Sequence, residues 1–137
     1  MKAILTQQQA LESNFLKRVI VVEGDPSLRM NIVNYLTSEG YTVTEAGSAY
    51  EFYQHVFLEP NTVAIIDTDL SDQNGQVVAE YARKNTAMRV ITLSSPLSTN
   101  TLPTNIKAGG DLNFVKPVNC RILASCVANL FSRLASA

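Results

Sequence analysis

The stretch Val63–Gly75, V-A-I-I-D-T-D-L-S-D-Q-N-G, decides how the rest of the chain is read. Its first four residues, Val63 to Ile66, are apolar. A short apolar run bounded by turn signals is the pattern of a strand buried on both faces, as in the interior of a parallel sheet. Asp67 falls where that strand stops, and Asp69, Ser71, Asp72, Asn74 and Gly75 follow in the loop. In a doubly wound sheet, ligands and chemistry gather outside the carboxyl ends of the strands. An acid placed there is a candidate to receive a ligand, a metal ion or a phosphoryl group, provided other strands send matching groups to the same edge.

Upstream, Val19 to Val22 read as a first strand, followed by Glu23, Gly24, Asp25 and Pro26. Proline is tolerated at a helix start because its missing N–H would be unpaired there, and Asp25 is placed to cap that helix. Leu28, Ile32, Val33 and Leu36 recur at helical spacing until Gly40. Tyr41 to Thr44 predict a short second strand. Ser48 and Glu51 have capping-box spacing, with Ala49, Phe52 and Val56 inward and Pro60 closing the helix. Downstream of the central stretch, Asn74 caps a helix that runs to about Lys84, with Val77, Val78 and Tyr81 as its apolar positions.

Arg89 to Leu93 predict a fourth strand, ended by Ser94, Ser95 and Pro96. The polar segment Leu97 to Asn105 is the weakest helix candidate, because Pro103 fits only a first turn. Ala108, Gly109 and Gly110 break it. Leu112 to Val115 predict a fifth strand, followed by Lys116 and Pro117. Asn119 caps a last helix whose apolar residues, Ile122, Leu123, Cys126, Val127, Leu130, Phe131 and Leu134, exceed one narrow stripe. Short alternating β and α segments imply right-handed crossovers and a parallel sheet covered on both faces. The predicted class is α/β, a single doubly wound five-stranded sheet.

The whole sequence has 137 residues, is 46% apolar and 17% charged, and carries a formal net charge of -1. That supports one packed domain and gives no basic footprint for nucleic acid or anionic lipid. Cys120 and Cys126 lack a C-x-x-C spacing and read as free thiols, which suits a reducing compartment. No apolar run reaches membrane-spanning length, and residues Met1 to Leu16 lack an apolar signal region. The expectation is a cytoplasmic location. His55 has no metal-like partner nearby in its helix and reads as structural.

Each strand sends something to the carboxyl edge: Glu23 from the first, Asp67 from the third, Ser94 and Ser95 from the fourth, Lys116 from the fifth. Two carboxylates, hydroxyls and an ammonium suit phosphoryl chemistry. Asp67 would be the nucleophile, Lys116 would neutralise a phosphoryl oxygen, and a Ser hydroxyl would donate to another. Glu23 would hold a hard divalent cation.

From Arg18 to Leu134 the chain resembles the receiver domain of bacterial two-component response regulators, which has the CheY-like, flavodoxin-like fold with strand order 2-1-3-4-5. V-I-V-V-E-G-D-P-S-L-R resembles the family's opening strand and acidic turn. D-T-D-L-S-D-Q-N-G resembles its acceptor loop, V-I-T-L-S-S its fourth strand, and A-G-G-D-L-N-F-V-K-P its end. The resemblance implies Asp67 as phosphoacceptor, Lys116 as the family lysine, Ser94 as the sensing hydroxyl, and a cis bond before Pro117. It implies domain bounds of 18–134, with 1–17 as an N-terminal extension. It also implies a histidine kinase or phosphotransfer protein as phosphodonor, a homodimer or other partner at the last helix, and an output domain or partner to be switched.

Three positions depart from the family pattern. Gly24 stands where a second acid usually ligates magnesium directly, which argues against Mg2+ as cofactor and leaves Glu23, Asp67 and Asp69 as a weak candidate set. Asn113 stands where an aromatic ring usually swings, and Ser71 where a Pro is common. The first two favour an alternative, a phosphorylation-independent pseudo-receiver that works by protein contacts. A distant third reading takes Asp67-Thr68-Asp69 as the D-x-D of an Asp-nucleophile phosphatase, although that motif normally follows a first strand. No G-x-G-x-x-G follows strand one, which argues against dinucleotide binding.

Overall fold

Every residue of Thr62–Asp67 is buried, so the strand read from the central stretch is the middle of the molecule. The computed structural model describes residues 17–55, 61–97 and 111–136, without the side chains after Ser132. Their elements, in order, are β1 (Arg18–Val22), α1 (Pro26–Ser38), β2 (Thr42–Ala46), α2 (Ala49–His55), β3 (Thr62–Asp67), α3 (Gly75–Asn85), β4 (Arg89–Ser94), β5 (Leu112–Val115) and α4 (Cys120–Ser136). The strands form one parallel sheet in the order β2-β1-β3-β4-β5. The expected Tyr41–Thr44 strand is shifted towards Ala46, because its ladder to β1 pairs Val22 with Ala46. The N-terminal segment 1–16, Val56, Pro60 and the weak helix candidate after Leu97 lie outside the described residues.

Strand side chains alternate between faces, and each face builds its own core. Ile20, Val22, Ala64, Ile66 and Val90 meet Ala49 and Phe52 of α2 and Val78, Ala79 and Ala82 of α3. Val19, Val21, Val63, Ile65, Ile91 and Leu93 meet Ile32 and Leu36 of α1 and Leu123, Val127 and Leu130 of α4. Tyr53 and Tyr81 close one face with edge-to-face rings 5.2 Å apart. Tyr41 stacks on Phe131 at 5.6 Å on the other.

The apolar surplus of the last helix has an internal use. Leu123, Val127, Leu130 and Phe131 are all buried in the sheet core, while Ile122 is 57% exposed. The expectation that these residues supply partner surface is therefore corrected for those four. Among the described residues the helix has two intramolecular neighbours, the sheet and α1, and so buries a wider stripe than one contact needs. Leu134 lies outside the described side chains.

Candidate functional site

The carboxyl edge is shaped by the loops that leave it. Asp25 caps α1 by accepting the Ser27 N–H at 3.0 Å, and its own N–H donates to Glu23 Oε1 at 3.1 Å. The Arg29 guanidinium donates to the Glu23 carbonyl at 2.7 Å and pairs with Glu45 at 3.1 Å, which ties the acidic turn to β2. Ser48 accepts the Glu51 N–H at 3.1 Å, and Glu51 reaches back to the Gly47 N–H at 3.2 Å. Asn74 caps α3 through the Gln76 N–H at 2.9 Å. Gly75 is required by close approach: a Cβ there would stand 1.9 Å from the Asp67 carbonyl oxygen.

Within this frame Glu23, Asp67 and Lys116 meet. Glu23 is 1% exposed and Asp67 3%. The Lys116 ammonium lies 3.2 Å from Glu23 Oε1, 3.1 Å from Oε2 and 3.4 Å from Asp67 Oδ1. Its backbone N–H donates to the Ser94 carbonyl at 2.8 Å, and the Lys116–Pro117 bond is cis. Asp67 Oδ1 also accepts the Asp69 N–H at 2.9 Å.

The electrostatics follow from burial. Desolvation raises the Glu23 carboxyl from 4.5 to about 6, the neighbouring Asp67 carboxylate adds to the rise, and the Asp25 N–H and Lys116 oppose it. For Lys116, burial pulls the ammonium down, but Glu23 and Asp67 together outweigh it and the net shift is upward. The three groups form a pocket that keeps a positive charge beside a buried carboxylate.

Ser94 ends β4 beside Leu93, which is paired with Asp67 in the β3–β4 ladder. Its hydroxyl donates to Asn113 Oδ1 at 3.3 Å, and the Thr92 hydroxyl donates to the same oxygen at 2.8 Å. Asn113 is exposed. The position expected to hold a swinging ring thus holds an amide that gathers two hydroxyls of the neighbouring strand.

Asp69 does not join the carboxylate pocket as a third acid. Its side chain is exposed and accepts the Thr68 hydroxyl at 3.5 Å. Among the described residues, no group of three His, Cys, Asp or Glu side chains could hold a metal ion. At Gly24 a Cβ would meet one atom within 4 Å, the Gly47 carbonyl at 3.8 Å, so the missing carboxylate is a matter of sequence and not of space. The two buried acids already share the Lys116 ammonium. A magnesium ion takes one or two carboxylates and keeps several waters, but both carboxylates here are already engaged by an ammonium, and as arranged the residues present do not fit it.

Sequence reading missed Asp72. In sequence it is one more acid of the loop after Asp67, but its two carboxylate oxygens accept the Ala49 and Tyr50 N–H groups, each at 3.0 Å, at the start of α2. Those hydrogen bonds lower its carboxyl below the usual range. The loop behind Asp67 is thereby fastened to a neighbouring helix. Arg29 was missed too. Neither residue carries a local signal, because each partner lies on a different element.

A doubly wound parallel sheet with buried acids and a lysine at its carboxyl edge defines a class of α/β domain. Within that class the assignment is specific: the response regulator receiver domain model matches residues 19–128, and the chain belongs to that family. It is similar to the TorCAD operon transcriptional regulatory protein TorR of Escherichia coli O157:H7, 25% identical over 116 residues that cover 85% of this chain and 50% of TorR. It is likewise similar to the transcriptional regulatory protein AruR of Pseudomonas aeruginosa, 28% identical over 122 residues, 85% of this chain and 50% of AruR. The chain thus spans about half the length of the curated relatives it matches. The crystal structure of a CheY-like receiver domain protein from Methanospirillum hungatei JF-1 superposes with a TM-score of 0.78 at 28% identity, covering 88% of this chain and 98% of that one. Family membership takes the place of the phosphatase reading. Among the described residues no helix is long and apolar enough to cross a membrane.

Proposed function

We propose that Asp67 accepts a phosphoryl group and that the chain switches a partner or output domain in response. The observation that carries this reading is the meeting of Asp67 and Lys116 at 3.4 Å in a buried pocket at the carboxyl edge. The donor is a phosphohistidine of a histidine kinase or phosphotransfer protein. An Asp67 oxygen attacks phosphorus, the P–N bond breaks, and the electron pair leaves with the imidazole nitrogen, which takes up a proton. Asp67 becomes an acyl phosphate. Lys116 neutralises charge on the transferred group, and the Ser94 hydroxyl turns from Asn113 to a phosphoryl oxygen. The working unit is residues 18–134, with 1–17 as an extension.

The test is intact-mass measurement after incubation with phosphoramidate. A gain of one phosphoryl group in wild type and none in Asp67→Ala supports the reading. Absence of the gain in wild type, with partner binding unaltered by Asp67→Ala, replaces it with the phosphorylation-independent pseudo-receiver. That second reading is favoured by one observation, the engagement of Ser94 by Asn113. For assembly we propose a homodimer through the β5–α4 face, where Val115 is 56% and Ile122 57% exposed.

A further inference from the structure

The pocket holds a cation of its own, built into the chain. Lys116 Nζ touches both oxygens of Glu23, at 3.1 and 3.2 Å, and one of Asp67 at 3.4 Å. These are the buried carboxylates a divalent ion would need. Glu23 is 1% exposed and is fixed from behind by the Asp25 N–H on Oε1 and by Arg29 on its carbonyl. Gly24 brings no third acid, and Asp69 offers Asp67 its N–H while its carboxylate stays exposed. A dication entering here would have to displace an ammonium of the same sign from the same oxygens. It would then find two carboxylates, with water left to complete its shell.

We infer that Glu23 is a positioning residue for Lys116, and that this receiver pocket uses the held ammonium where a divalent ion would otherwise sit. The inference deepens the phosphoacceptor reading and rests on it for its chemical consequence, but its geometry stands without any donor. With Glu23 and Asp67 ionised and Lys116 protonated, the three side chains sum to one negative charge. Among the described residues, the incoming phosphoryl group therefore meets one fixed cation, Lys116, already next to the attacking oxygen. Glu23 never touches the transferred group; it acts by holding Lys116 at the Asp67 edge.

Two measurements separate this inference from the reading below it. The first uses no phosphodonor: magnesium chloride is titrated into isotope-labelled protein, and the side-chain resonances of Glu23 and Asp67 and the Lys116 Nζ–H signal are followed. In wild type they stay in place through millimolar magnesium. In Gly24→Asp, where a Cβ has room, they move, with affinity higher by about tenfold or more, the scale on which metal-site partners act. The Lys116 Nζ–H signal is lost in Glu23→Gln and kept in Glu23→Asp, which retains a carboxylate. The second is phosphoramidate labelling of wild type read by intact mass, with magnesium and with a chelator, expected to be equal. Equal magnesium affinity in wild type and Gly24→Asp overturns the inference, as does labelling that a chelator abolishes. So does a Lys116 signal indifferent to Glu23→Gln. If wild type takes no phosphoryl group under either condition, the phosphoacceptor proposal fails, and the titration alone decides the role of Glu23.

Discussion

Glu23 carries a cost that shows in its proton. Its carboxyl is raised from 4.5 to about 6, first by burial and then by the carboxylate of Asp67. The folded state therefore binds a proton that the unfolded chain has already released between those values. The stability this contributes is complete below about 4.5 and is lost as pH rises through about 6. Thermal melts across that window should show wild type losing stability with rising pH, and Glu23→Gln should flatten the slope. A slope identical in the two proteins would place the titrating group elsewhere. Gly75 is the other residue whose chemistry is forced. A methyl there would lie 1.9 Å from the Asp67 carbonyl oxygen and 2.6 Å from Thr68 Cα, both backbone atoms that cannot swing away. Gly75→Ala should cost about 1–3 kcal/mol in urea denaturation and displace the loop behind Asp67. An unaltered midpoint would mean that the loop and α3 separate more easily than their packing suggests.

At the scale of elements, the links that matter run between them. Asp72 fastens the loop behind Asp67 to α2, a helix of seven residues that also has Ser48 at its start. Removing such a cap costs about 1 kcal/mol, so Asp72→Ala should lower stability by that order. Its lowered carboxyl gives the opposite pH sense to Glu23: the contribution is present above the ordinary value of 3.8 and is lost as pH falls through the folded value. Hydrogen exchange at the Ala49 and Tyr50 amides reads the same contact directly and should speed up in the variant. Between β4 and β5, Asn113 accepts from both Thr92 and Ser94. Thr92 is 2% exposed, so Asn113→Ala leaves a buried hydroxyl with only the Leu112 carbonyl at 3.4 Å. A loss of about 1 kcal/mol is expected. The same change releases Ser94, and phosphoramidate labelling should become faster than in wild type. Unchanged labelling would show that Asn113 does not compete for that hydroxyl.

For the whole molecule, the exposed apolar surface of the last helix is smaller than helix periodicity suggested, and among the described residues it adjoins the sheet's β5 edge. Phe114, Val115, Pro117, Val118 and Ile122 line a groove there, with Val115 and Ile122 more than half exposed. Sedimentation should show a dimer forming with concentration, and Ile122→Arg should abolish it; a dimer unaffected by that change would rest on another face. Much of this architecture was legible without coordinates. Buried apolar runs, glycine and proline punctuation and the caps at Asp25 and Asn74 are local signals, and they placed five strands; the order the sheet adopts was implied by the resemblance to the receiver family. Strand ends placed Glu23, Asp67 and Lys116 at one edge, because parallel strands must all finish on the same side. What local signals could not carry was which side chain meets which. Asp72 finds its amides 22 and 23 residues away, Arg29 finds Glu45 across 16, and Asn113 finds Thr92 across 21. The apolar stripe of α4 records only that the helix is covered, and covering by the sheet and α1 looks the same in sequence as covering by a partner. Residue order determined the elements and the edge. Packing of elements distant in sequence decided the occupant of the pocket, a lysine ammonium held by two buried acids, because contact distances exist only once those elements are brought together.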